Sequence, residues 1–198
     1  MSAVTTPSLD NSLAWELPYR GKVAMACLIV AESAIFSIFV VAYLFYLGKS
    51  VTGPTPRQVL ETPIFFTICL LSSSLTIHLA AKELENDHRK TFLILWAITI
   101  LLGALFLFGT ALEWHRLIFE RGLTISTNLF GTTYYSLVGL HATHVTVGLV
   151  MLTVVLLFGL ADRVGMDQSA RIATLCMYWH FVDAVWIVVF TVVYLVGR

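Results

Sequence analysis

The chain has 198 residues, of which 58% are hydrophobic and only 12% charged, about half the charge of a soluble domain. Its 12 basic and 12 acidic residues cancel, which argues against nucleic acid as a partner and against general attraction to anionic surfaces. Apolar runs of about twenty residues, long enough to span hydrocarbon as a helix, fill most of the sequence. The expected fold is therefore all-α: one integral membrane domain of five transmembrane helices.

Residues 1–22 read as a retained polar tail, because Pro7, Trp15 and Pro18 interrupt it and no short apolar run ends in a small-residue cleavage site. Arg20 and Lys22 then sit where positive charge flanks a first membrane helix on the cytoplasmic side. The first span is expected over about 23–47, with one carboxylate, Glu32, inside it. A loop with Pro54, Pro56 and Arg57 follows.

The second span, about 63–81, is expected to open with Thr62 as its cap and Pro63 in its first turn. Its middle is small and polar, at Ser72, Ser73, Ser74 and Thr76, which suits close helix contact. A charged connection leads to a third span, about 91–112, ending at Glu113, Trp114, His115 and Arg116, where Trp114 would suit the membrane interface. The fourth span, about 131–160, is long enough to tilt or to project, and carries Gly139, Ala142, Thr143 and Thr146 as a small-residue stripe. The fifth is expected over about 171–196.

Cys27, Cys69 and Cys176 all lie in apolar segments and read as packing residues, not as a disulfide or metal framework. Five spans put the termini on opposite sides. Arg20, Lys22, Lys82, Arg89, Lys90, Arg163 and Arg171 collect on the N-terminal side, against Lys49, Arg57, Arg116, Arg121 and Arg198 on the other. That bias favours an N-terminus inside and a C-terminus outside.

Polar groups within spans are costly unless paired or facing a cavity. Glu32, His141, His144, His180 and Asp183 are the candidates. The spacing of three in His141 and His144, and again in His180 and Asp183, places each pair on one helix face. Counting about 1.5 Å per residue from the inner ends puts Glu32 and His180 at about 14 Å and Asp183 at about 18 Å, which makes those three neighbours. His144 falls at about 24 Å and His141 at about 28 Å, and misjudged helix ends leave a pairing of Glu32 with His144 open.

These groups are readable as hydrogen-bonded pairs that fix helix packing, or as part of a proton path. A bis-histidine haem needs ligands at matching depth, and His144 and His180 differ by about 10 Å. A metal at His141 and His144 would need further ligands. Transport finds no support in repeats or broken helices. His78, near the end of the second span, and His88 and His115, in or beside connections, are expected to be solvated or interfacial.

The segment from Tyr178 to Trp186 (YWHFVDAVW), with Gly139 to Val145 (GLHATHV), resembles the signatures of subunit III of haem-copper terminal oxidases. Glu32 within Ala31-Glu32-Ser33 resembles that family's buried carboxylate, Glu113-Trp114 its acidic-aromatic pair, and Ile125-Ser126 through Gly131-Thr132-Thr133 its approach to the histidine helix. The resemblance covers nearly everything after Lys22.

It implies a helical bundle beside oxidase subunit I, in a complex that reduces oxygen to water and moves protons across the bacterial cytoplasmic (inner) membrane. The chain itself would hold no catalytic centre, cofactor or metal, with haem and copper in partner subunits. Membrane phospholipid would be a further partner, and the five buried polar residues would support assembly and sustained proton uptake. Many relatives have seven helices, and the first two, one wall of a lipid-holding cleft, have no counterpart here. By the same resemblance Glu32 points to a cytochrome c oxidase, with a quinol oxidase as the alternative. An independent membrane transporter or enzyme is the alternative of another class.

Overall fold

A computed structural model describes residues 20–50 and 53–197. The tail up to residue 19, with Trp15, Pro7 and Pro18, lies outside the described residues. Arg20 and Lys22 are not tail but the first turn of helix α1, Arg20–Tyr46. A short helix α2, Pro56–Val59, is followed by α3, Ile64–Glu85; α4, Arg89–Phe119; and α5, Leu129–Leu160. A 3₁₀ turn, Met166–Gln168, leads into α6, Ser169–Phe190, which closes in a π turn, Thr191–Val196. No strand occurs among the described residues.

Five helices, α1, α3, α4, α5 and the run Met166–Val196, are long and apolar enough to cross a membrane. Helical structure is what such sequences must adopt there, because hydrocarbon offers backbone N–H and C=O groups no other partners. Several helices exceed the expected spans. α4 passes through Glu113, Trp114, His115 and Arg116 without a break, since no glycine or proline lies between Gly109 and Gly122, whose φ of +64° follows the helix end. α3 likewise runs past Ala81 to Glu85.

Thr62 does not cap α3. Pro63 occupies the cap position without a side-chain hydrogen bond, and the helix opens with the Thr67 amide on the Pro63 carbonyl at 2.9 Å. α5 begins two residues early because Asn128 caps it, its Oδ1 accepting from the Gly131 amide at 2.8 Å. Trp114 is half-buried, its ring 5.4 Å from that of Tyr135. The cysteines are free, with Cys69 and Cys176 buried and Cys27 exposed.

α6 packs against α1, α3 and α5, whereas α5 packs against α1, α4 and α6. Trp179 on α6 shows how this hub is seated. A Cβ on Gly148 would lie 2.7 Å from its ring, and one on Gly103 2.9 Å, so glycines on α5 and α4 make the slot that receives the indole. Its Nε1 donates to Ser73 Oγ of α3 at 2.8 Å. Trp186, also on α6, donates to Thr67 Oγ1 of α3 at 3.2 Å, and Trp96 on α4 to the Leu152 carbonyl of α5 at 2.9 Å. Each large apolar body thus carries its one donor to a partner on another helix. At one end Arg89 binds both the Gly159 carbonyl and Asp162, tying the start of α4 to the end of α5.

Candidate functional site

Glu32, His144, His180 and Asp183 all lie near the middles of their helices, where water is scarce and polar groups depend on each other. Two separate clusters result. The first joins α1 to α5: His144 Nε2 lies 3.1 Å from Glu32 Oε2. His144 Nδ1 lies 2.8 Å from the Leu140 carbonyl, which only accepts, so Nδ1 carries a proton. One further proton must then lie between Nε2 and the Glu32 carboxyl, giving either a neutral acid on a neutral imidazole or an ion pair. Tyr178 of α6 braces the same turn, donating to the His144 carbonyl at 3.1 Å.

The second cluster joins α3 to α6. Ser74 donates to Asp183 Oδ2, and with its only proton so used, its oxygen accepts from His180 Nδ1 at 3.0 Å. Asp183 is buried and its Oδ1 has no partner. Of the three residues expected to be neighbours by depth, His180 and Asp183 share one cluster, whereas Glu32 pairs with His144 instead. The reason is geometric: α1 begins at Arg20, so Glu32 lies about 18 Å from its start, while His144 lies about 24 Å from the α5 end at Leu160, yet the two side chains meet. Inner ends are not flush, and a common zero for depth fails.

His141 is apart from both clusters. It is fully buried, neither ring nitrogen has a partner, and it stacks on Trp186 at 4.9 Å with Phe106 and Phe36 edge-on at 5.7 and 6.5 Å. It fills an aromatic cage in the α1, α4, α5 and α6 packing. His78 is not near the end of its helix: α3's extra turn places it seven residues inside, exposed, its ring 6.4 Å from that of His180. Its spacing of four from Ser74 was the signal in the sequence.

A third polar group lies near the far end of α4. Tyr194, turned inward by the π turn, donates to Glu113 at 2.8–2.9 Å, with Tyr134 Oη 3.4 Å from Tyr194 Oη. Glu113 also lines a cavity of about 240 Å³ with Glu61, Arg116 and Phe66, where Arg116 and Glu61 pair at 3.3 Å. Neither tyrosine was singled out from the sequence, because aromatic residues in a span read as packing.

The comparison with known proteins is specific. The family model for cytochrome c oxidase subunit III matches residues 20–198, which is the whole bundle. The chain belongs to the cytochrome c oxidase subunit III family. Cytochrome c oxidase subunit 3 of Alkalihalophilus pseudofirmus is 34% identical over 168 residues, spanning 84% of this chain and 82% of that protein. Its counterpart from Synechocystis is 37% identical over 177 residues, spanning 84% and 72%. Quinol oxidase subunit 3 of Bacillus subtilis is 33% identical over 169 residues, spanning 84% and 82%. As a haem-copper oxidase subunit III with five spanning helices, the chain is a multi-pass protein of the bacterial cytoplasmic membrane and a member of a multi-subunit oxidase complex.

Proposed function

We propose that this subunit III is the non-redox accessory subunit of a proton-translocating cytochrome c oxidase, packed beside subunit I, which with its neighbours holds the haem and copper. The observation that carries this reading is how the polar groups within the spans are used. His144 has both nitrogens engaged by Leu140 and Glu32, His180 is held by Ser74, and His141 is enclosed by aromatic rings. Among the described residues no three His, Cys, Asp or Glu side chains converge as a ligand set. The Glu32–His144 pair and the Ser74 bonds to His180 and Asp183 are spent on joining helices, as expected of a subunit that supports chemistry elsewhere.

In this role Glu32 and His144 lock α1 to α5, and Ser74, His180 and Asp183 lock α3 to α6. The subunit sustains proton uptake by holding subunit I and its surrounding lipid in place. The N-terminus faces the cytoplasm, following the bias of basic residues. Membrane phospholipid fits the apolar groove of about 410 Å³ between α1 and α6, lined by Phe36, Val40, Phe181 and Val188.

A quinol oxidase is the second reading, favoured by the similarity to Bacillus subtilis quinol oxidase subunit 3. Affinity purification in mild detergent tests both. The preparation is expected to contain a larger haem protein and to consume oxygen with reduced cytochrome c. Turnover with quinol alone would select the second reading, and a colourless single chain would overturn both.

A further inference from the structure

The outward faces of the bundle differ in what they offer the bilayer. On α1 and α5 the outward hydroxyls fold back on their own helices. Ser33 donates to the Ile29 carbonyl and Ser37 to that of Ser33, each at 2.7 Å, while Thr143 donates to Gly139 at 2.9 Å and Thr146 to Ala142 at 2.8 Å. At these four positions no hydroxyl donor is left free, and they are suited to lipid.

The face shared by α3 and α6 is not. His78 is exposed there, and no hydrogen bond engages it among the described residues. Half-buried His180 keeps its proton on Nδ1 for Ser74, which leaves its Nε2 as an acceptor that has no partner among the described residues. Leu71, Leu75 and Leu79 of α3 are exposed around this pair. An apolar rim around hydrogen-bonding groups is the composition of a helix contact inside a membrane. Lipid has no donor to give at this depth, and a bare imidazole in hydrocarbon is costly. His180 asks for a donor, and His78, with one donor and one acceptor, accommodates either role.

We propose that the face of α3 and α6 centred on His78 and His180 docks a transmembrane helix of another oxidase subunit, one presenting a hydrogen-bond donor side chain at this depth. The inference rests on the oxidase-subunit reading, since that reading supplies the partner.

The test uses the affinity-purified complex with a photo-crosslinking amino acid at Leu75. The expected product joins Leu75 to a membrane-spanning peptide of another subunit. Products with lipid only, or with a second copy of this chain, in a preparation that contains the haem protein would overturn the inference while leaving the oxidase reading intact. A colourless preparation would overturn the oxidase reading, and the inference with it. His78→Leu is expected to weaken retention in the complex roughly three- to tenfold, the scale of one interhelical hydrogen bond, with His78→Gln near wild type. Leucine retained as well as histidine, or better, would show that this face meets lipid.

Discussion

Removing the Glu32 side chain isolates what the pairing of α1 with α5 contributes. In Glu32→Ala the proton on His144 Nδ1 remains committed to the Leu140 carbonyl, and Nε2, 3.1 Å from Glu32 Oε2 in the intact protein, loses its partner. A buried polar atom left unsatisfied costs about 1–3 kcal/mol. The His144 side chain is 14% exposed, which favours the lower half of that range, about 1–2 kcal/mol, or roughly a 5- to 30-fold shift in a local equilibrium. Glu32→Gln keeps a donor facing Nε2 and should cost about 0.5 kcal/mol or less. The assay is residual turnover of the purified oxidase after timed warming in detergent, with an optical spectrum taken alongside. Alanine is expected to shorten the working life while the haem bands stay unchanged, and glutamine to restore most of it. Glutamine as damaging as alanine would refute the reasoning, because charge or a transferable proton would then matter more than the hydrogen bond.

Three further outcomes follow from the packing. Asp183→Asn, which keeps an acceptor for Ser74, should be milder in the same warming assay than Asp183→Ala, which removes it at about 1–3 kcal/mol; equal severity would mean that the negative charge is what counts. Gly148→Ala would put a Cβ 2.7 Å from the Trp179 ring and should lower the detergent melting temperature by the equivalent of about 1–3 kcal/mol, whereas Gly139→Ala meets Trp114 at an ordinary 3.4 Å and should be near neutral. Tyr194→Phe removes the donor from the half-buried Glu113 and should cost about 1–2 kcal/mol in the same melt, with Glu113→Gln milder than Glu113→Ala.

Much of the fold was legible because hydrocarbon leaves few choices: an apolar run of sufficient length must be a helix, and the five spans follow from that alone. Their ends were less legible. Glu113 ended the third span on paper because a carboxylate looks like a boundary, yet Tyr194, more than eighty residues away in sequence, satisfies it and lets the helix continue to Phe119. The polar residues within spans were conspicuous for the same physical reason that makes them rare. Which of them meet depends on tilt and stagger, and a count of residues from the helix ends does not reveal that His144 stands level with Glu32. Ser74 reads in sequence as part of a small, polar stretch suited to close helix contact, and its joining of His180 to Asp183 leaves no mark in local spacing because both partners lie on another helix.

The central claim is that this chain supports redox chemistry carried by its partners. Its most direct test is the oxidase prepared with and without this subunit, compared by optical spectrum and by turnover over many cycles. The account predicts identical haem bands and near-normal initial turnover, with activity decaying sooner when the subunit is absent. Loss of a haem band on its removal would contradict it.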